Sequence, residues 1–199
     1  MIDVPRVAPI AAAVLAGGAS RRMGRDKALL DFGGRPLIQA VLDRVAAVFS
    51  DPFVVSNTPE RYPFLACPIV PDRFPGKGPL AGIDAALRHA GTPFAFVCGC
   101  DMPFLSEPLL RLLAGKAGEG VDLVLPSGPD GAEPLCAIWG SSALPAIEQA
   151  LAGGRLSLVD LAKKLSVHGI ATEEVAAVDP TFASFRNFNT PSDWARRNG

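Results

Sequence analysis

Three features of the sequence predict an α/β fold with a mostly parallel central sheet. Short apolar runs closed by glycine, proline or serine alternate with segments whose apolar residues recur at helical spacing. The alternation holds through the first half of the chain, which is the pattern of parallel strands covered on both faces by helices. With 199 residues, 49% of them hydrophobic, the chain can bury one core without disulfide staples.

The elements follow in order. Ile10 to Leu15 is an apolar run ending at Gly17-Gly18, which suits a fully buried strand. A helix starts near Pro36, and Leu37, Ile38, Val41, Leu42, Val45 and Phe49 form its apolar stripe. Phe53-Val54-Val55 is the next strand, closed by Ser56-Asn57-Thr58-Pro59, and Ile69-Val70 is a shorter one. Pro79 opens a second helix with Leu80, Ile83 and Leu87 inward. Phe94 to Cys98 is a third strong strand, and Ser106 caps a helix carrying Leu109, Leu110, Leu112 and Leu113. The second half is less regular. Val121–Leu125 and Leu135–Trp139 read as strands around the turn-rich Ser127–Gly131, with helices from Ser142 and Ser157. Thr190-Pro191-Ser192-Asp193 has the cap, proline and acid of a short terminal helix.

Composition excludes several classes. Nineteen basic and twenty acidic side chains leave a net charge of −1, whereas a protein that coats nucleic acid is clearly basic, so no nucleic-acid partner is expected. No apolar run reaches membrane-spanning length, and no membrane partner is expected. Arg6 and Pro9–Ala16 resemble a signal peptide weakly: Asp3 precedes them, the apolar run is short, and a basic Gly-rich segment follows at once. Cys67, Cys98, Cys100 and Cys136 form neither a zinc pattern nor a disulfide framework and read as small buried hydrophobes of a reducing compartment. A cytoplasmic location is therefore expected.

The most informative segment is Leu15-Ala16-Gly17-Gly18-Ala19-Ser20-Arg21-Arg22-Met23-Gly24-Arg25-Asp26-Lys27. It follows a buried strand, at the carboxyl edge where open α/β sheets bind ligands. Adjacent glycines let backbone N–H groups approach a phosphate, and Arg21, Arg22, Arg25 and Lys27 face a single acid, Asp26. A polyanionic ligand is the expectation. Neither the Lys-bearing NTPase loop nor the dinucleotide G-x-G-x-x-G spacing occurs here. Asp101 stands just beyond the Phe94–Cys98 strand and faces the same crevice, where a hard carboxylate suits Mg²⁺ completed by substrate phosphates. Taken alone, Asp101 could also cap a turn, and Asp72 could be an ordinary loop acid. Asn187 and Asn189 alternate, so an extended strand places both on one face. His89 and His168 have no partners at zinc spacing, and no serine stands in a hydrolase elbow.

The glycine and cation segment matches the signature L-x-G-G-x-x-x-R-M-G-x-D-K of nucleoside-triphosphate transferases. The chain resembles the molybdenum cofactor guanylyltransferases, also called molybdopterin-guanine dinucleotide biosynthesis protein A. Four blocks carry the resemblance in order: Leu15–Leu29, Gly78-Pro79-Leu80-Ala81-Gly82, Asp101-Met102-Pro103-Phe104 and Asn187-Phe188-Asn189-Thr190-Pro191. Glu133-Pro134-Leu135 matches a weaker fifth. Gly17 and the Gly-Pro-Leu-Ala-Gly block look like the guanylyl rather than the cytidylyl branch.

The resemblance implies a single three-layer, Rossmann-like nucleotidyltransferase domain over residues 1–199, with residues of about 8–105 forming a nucleotide-binding half and about 106–199 an acceptor-binding half. It implies transfer of GMP from GTP to the terminal phosphate of molybdopterin, metal-free or molybdenum-loaded, with release of pyrophosphate. Leu15, Ala16, Gly17, Gly18, Lys27, Asp72 and Asp101 would bind the nucleotide, and Asp101 would hold Mg²⁺. Lys27, Arg22 and Asp101 would carry the catalysis, and Asn187 and Asn189 would receive the pterin. Molybdoenzymes or their chaperones are further partners it implies. The residues leave other readings open: cytidylyl transfer to the same acceptor, transfer to a sugar phosphate, or a GTP-binding cofactor carrier without catalysis.

Overall fold

The computed structural model describes residues 9–17 and 26–188. Its strands are β1 (Ile10–Leu15), β2 (Ser50–Val55), β3 (Ile69–Val70), β4 (Phe94–Gly99), β5 (Leu123–Gly128), β6 (Gly131–Ala132), β7 (Cys136–Gly140) and β8 (Val167–Ile170). Its helices are α1 (Leu37–Ala46), α2 (Pro79–His89), α3 (Glu107–Ala114), α4 (Leu144–Ala152), α5 (Leu158–Ala162) and α6 (Thr172–Val178). The strands join in one sheet of order β3-β2-β1-β4-β7-β5-β6, with β8 also paired to β5. β3, β2, β1 and β4 run parallel; β7 is antiparallel to both β4 and β5, and β8 is parallel to β5.

Strand alternation divides the core into two layers. Ile10, Ala12 and Val14 of β1 face one side with Ile38, Val41 and Val45 of α1 and Leu109, Leu110 and Leu113 of α3. Ala11 and Ala13 face the other side with Leu80 and Ile83 of α2 and Ile147 and Leu151 of α4. The small alanines of β1 lie beneath these larger residues, the interdigitation a dense interior needs. Helices on both faces of one sheet give the three-layer arrangement expected. A third, smaller cluster seats the end of the described chain: Phe188 packs with Leu37, Ala40 and Phe32, the last at 5.7 Å between ring centroids.

The expected caps are present. Ser106 Oγ accepts from Leu109 N–H at 3.3 Å, and Ser157 Oγ accepts from Asp160 N–H at 3.2 Å. β2 is longer than the Phe53–Val55 run, although Pro52 has no N–H to donate. The strand accommodates it with Asp51 at φ 50° and a register shift opposite Ala11–Ala13, a local bulge. Ser127 and Gly128, read as turn, instead extend β5 and pair with Ala132 and Gly131. β8 and α6 have no counterpart in the sequence reading. The expected terminal helix at Thr190 lies outside the described residues. Among those residues, no helix is long and apolar enough to cross a membrane.

Candidate functional site

Four parallel strands end at one edge, and the residues that follow them meet there. Gly17 follows β1, Ser56-Asn57-Thr58 follows β2, Asp72 follows β3, and Asp101 follows β4. Together they border a cleft of about 810 Å³. Because β7 runs the other way, it brings its amino-terminal side, Leu135, to the same cleft. From β3 to β4 is three strand spacings, about 14 Å, so the carboxylates of Asp72 and Asp101 belong to opposite ends.

At the β4 end, Lys27 Nζ lies 3.4 Å from Asp101 Oδ2. Two glycines make the surroundings of that pair possible. A Cβ on Gly99 would stand 2.6 Å from Asp101 Oδ1, so only glycine lets the carboxylate fold back over the strand end. A Cβ on Gly82 would stand 3.0 Å from both terminal methyls of Leu15, so this glycine lets α2 approach the end of β1 along the cleft wall.

Lys27 opens a short 3₁₀ turn whose cap is Asp26. Asp26 Oδ1 accepts from Ala28 N–H at 3.1 Å, and Oδ2 accepts from the Tyr62 hydroxyl at 2.8 Å and from Arg61 at 3.5 Å. Asp26 is thus engaged in fixing the turn that carries Lys27. Burial, and then the bond to Asp26, hold the Tyr62 hydroxyl well above the ordinary phenol range, so it remains a donor. Cys100, beside Asp101, has its thiol pushed up to about 12 by burial and next by Asp101. It is therefore a neutral thiol at neutral pH, not a nucleophile. Cys98 and Cys136 face each other across β4 and β7, both buried, and all four cysteines are free.

At the β3 end, Asn57 and Asp72 form a reciprocal pair. Asn57 Nδ2 donates to Asp72 Oδ2 at 2.7 Å, and Asp72 N–H donates to Asn57 Oδ1 at 3.0 Å. Asp72 Oδ1 also accepts from Phe74 N–H at 2.8 Å. The expected residues Leu15, Gly17, Lys27, Asp72 and Asp101 all line the cleft. Ala16 does not: it is buried, and its N–H donates to the Val55 carbonyl at 2.9 Å. Asn187 is exposed, and the next residue, Phe188, donates its N–H to the Asp101 carbonyl at 2.7 Å. Gly18, Arg22 and Asn189 lie outside the described residues, as do Arg21 and Arg25.

Sequence reading leaves Asn57, a residue near the base by resemblance, uncommitted because the match around it is gapped, and assigns no role to Arg61 or Tyr62; all three border the cleft. Asn57 reads as turn chemistry because its partner lies fifteen residues away. Tyr62 carried one available signal: it is the single tyrosine of the chain. Glu133 is half-buried at the approach to Leu135, and burial raises its carboxyl pKa, with Asp130 adding to the effect.

No group of three or more metal-ligating side chains occurs among the described residues. A cation held by one carboxylate and completed by phosphate oxygens fits this donor set; an all-protein zinc cage does not.

Known proteins resemble this chain in sequence and fold. Residues 12–167 match the model of the MobA-like NTP transferase domain. The molybdenum cofactor guanylyltransferase of Desulfosudis oleivorans is 38% identical over 181 residues, covering 90% of each chain. The enzyme of the same name from Syntrophotalea carbinolica is 33% identical over 187 residues, covering 93% of this chain and 89% of its own. In the crystal structure of molybdopterin-guanine dinucleotide biosynthesis protein A from Archaeoglobus fulgidus, 96% of that chain superposes on 94% of this one, with TM-score 0.81 and 31% identity.

Proposed function

From the premise that the chain belongs to the MobA-like NTP transferase family, we propose that it transfers GMP from GTP to the terminal phosphate of molybdopterin. Pyrophosphate leaves, and the guanine dinucleotide form of the cofactor results. The observation that carries this reading is the placement of Lys27 against Asp101 at one end of a cleft whose other end holds the Asn57–Asp72 pair. The cleft has phosphate chemistry at one end and a hydrogen-bonding surface for a base at the other.

In this mechanism the acceptor phosphate attacks the α-phosphorus of GTP, and the bond to the β-phosphate oxygen breaks. No covalent enzyme intermediate is needed, which agrees with a neutral Cys100 thiol. Catalysis of this kind rests on alignment and on neutralising charge. Lys27 places its ammonium against the triphosphate and the departing pyrophosphate, and Arg22 joins it. The Asp26–Tyr62 bond keeps the turn bearing Lys27 in place. Leu15, Gly17 and Gly18 and the carboxylate of Asp72 hold the nucleotide, while the buried Ala16 fixes the strand end through its bond to the Val55 carbonyl. Asp101 would hold Mg²⁺, which when bound neutralises phosphate charge against an anionic attacker. Residues of about 8–105 thus serve the nucleotide. Those of about 106–199, including Asn187 and Asn189, serve the pterin, whether or not it carries molybdenum.

The test is calorimetric binding of GTP, CTP, ATP and UTP, each with and without Mg²⁺, followed by pyrophosphate release in the presence of molybdopterin. Selective GTP binding strengthened by Mg²⁺, with pterin-dependent pyrophosphate release, is expected. Preference for CTP would move the activity to cytidylyl transfer. Binding of GTP without pyrophosphate release would make the chain a carrier.

A further inference from the structure

Asp84 is an acid where the pattern of α2 calls for an apolar residue. It lies four residues after Leu80 and three before Leu87, on the inward face, and it is fully buried. Burying a carboxylate is costly unless it is paired and hydrogen-bonded. Here three N–H groups reach it. Arg73 Nε donates to Oδ2 at 3.1 Å, Arg73 Nη2 donates to Oδ1 at 3.2 Å, and Arg88 Nε donates to Oδ1 at 3.0 Å. Glu148 of α4 accepts from both arginines, so the four charges cancel.

The two arginines differ in origin. Arg88 is on α2 itself, one turn beyond Asp84, so their bond is local to the helix. Arg73 belongs to the segment between β3 and α2, whose Asp72, Gly76 and Gly78 line the cleft. Its bidentate fork therefore ties the cleft border to the helix layer. The adjacent Asp72 is held on the cleft side by Asn57, so the segment is pinned from two directions. The Arg73 guanidinium also lies over the Phe74 ring, 5.2 Å from its centroid, which restrains the next residue.

We propose that Arg73 and Asp84 are positioning residues that set nucleotide affinity, by holding the 72–78 segment in its receiving shape without touching the nucleotide. The inference rests on the reading that this segment borders the nucleotide site. Without the anchor, the nucleotide itself must order the segment on binding, and affinity falls. Arg88 supplies the internal control, because it pairs with the same carboxylate but carries no cleft residue.

The experiment compares wild type, Arg73→Gln, Arg88→Gln and Asp84→Asn by calorimetric binding of GTP with Mg²⁺, turnover at saturating GTP, and thermal melting. Arg73→Gln is expected to weaken binding about tenfold, or about 1.4 kcal/mol. Its kcat should stay within about threefold of wild type, because the lost interaction acts on binding rather than on the chemical step. Arg88→Gln is expected to lower the melting temperature while leaving the GTP Kd unchanged. Asp84→Asn should follow Arg73→Gln in affinity; if it does not fold, the two arginine variants decide alone. Wild-type affinity in Arg73→Gln, or equal weakening in Arg88→Gln, would overturn the inference. Failure of the wild type to bind any nucleoside triphosphate would overturn the site reading beneath it.

Discussion

The four parallel strands and the reversed β7 reach the same cleft by different routes. In the parallel half each strand ends at the cleft edge, so the chain delivers one short functional segment after every strand: Gly17, Asn57, Asp72 and Asp101. In the other half β7 is reversed, and what reaches the cleft is the residue that precedes the strand, Leu135. Direction of travel thus decides whether a residue near the cleft is found after a strand or before it. In an open α/β sheet, a search confined to carboxyl ends finds the first kind and misses the second.

Substitutions can sharpen this contrast. The largest effects are expected at the β4 end. Asp101→Ala or Lys27→Ala should lower kcat/KM at least about a thousandfold while leaving the circular dichroism spectrum unchanged, since both act at a polar cleft rather than in the core. Full activity in either variant would remove it from the mechanism. Gly99→Ala comes next. The new methyl must displace the Asp101 carboxylate, and about a hundredfold loss of kcat is expected from misplacement alone, with nucleotide affinity much less changed. Asn187→Ala tests the division between halves. Its acceptor KM should rise about tenfold while the GTP Kd stays put. A change in GTP affinity instead would assign Asn187 to the nucleotide side.

The smallest effect concerns Tyr62. Tyr62→Phe should destabilise the protein by about 1 kcal/mol at neutral pH, the worth of one partly buried hydrogen bond. Its pH dependence has a definite sign. The folded-state pKa lies above the ordinary phenol value of 10.0, so the folded protein keeps a proton that the unfolded chain gives up. The contribution is complete below that value and is lost as pH climbs beyond it. Denaturant titrations at rising alkaline pH should show a steeper loss for the wild type than for Tyr62→Phe.

How much of this was legible in the sequence depended on the range of the signal. β1, α1, β3, α2, β4 and α3 were readable because each carries its own period, cap or proline within a few residues. β8 was not: its four residues Val167–Ile170 include only one that is buried, and its partner β5 lies more than forty residues earlier. α6 was hidden because Ala171 stands at its cap position. Its amino end is instead served by Glu174, whose Oε1 accepts from Ala171 N–H at 3.3 Å. In the cleft, the segments after β1 and β4 were recognisable from glycines and charges local to them. The Asn57–Asp72 and Tyr62–Asp26 bonds join residues fifteen and thirty-six positions apart, and no local pattern announces such pairs. Asp84 interrupts the apolar stripe of α2, a signal the sequence reading passed over, and an interruption becomes informative only when its partner is known.

The bond from Phe188 N–H to the Asp101 carbonyl bears on the order in which the molecule is made. A second tie of the same kind runs from Ser106 N–H to the buried Ser184 hydroxyl, at 2.9 Å. Both wait for a stretch of chain that leaves the ribosome long after β1 to β4 have emerged. A nascent chain can assemble the parallel half and the floor of its cleft early. The turn that bears Asp101 gains its last supports only when residues near 188 arrive. Timing thereby separates a young polypeptide able to shape its first pocket from a mature one whose acidic turn is braced on both sides.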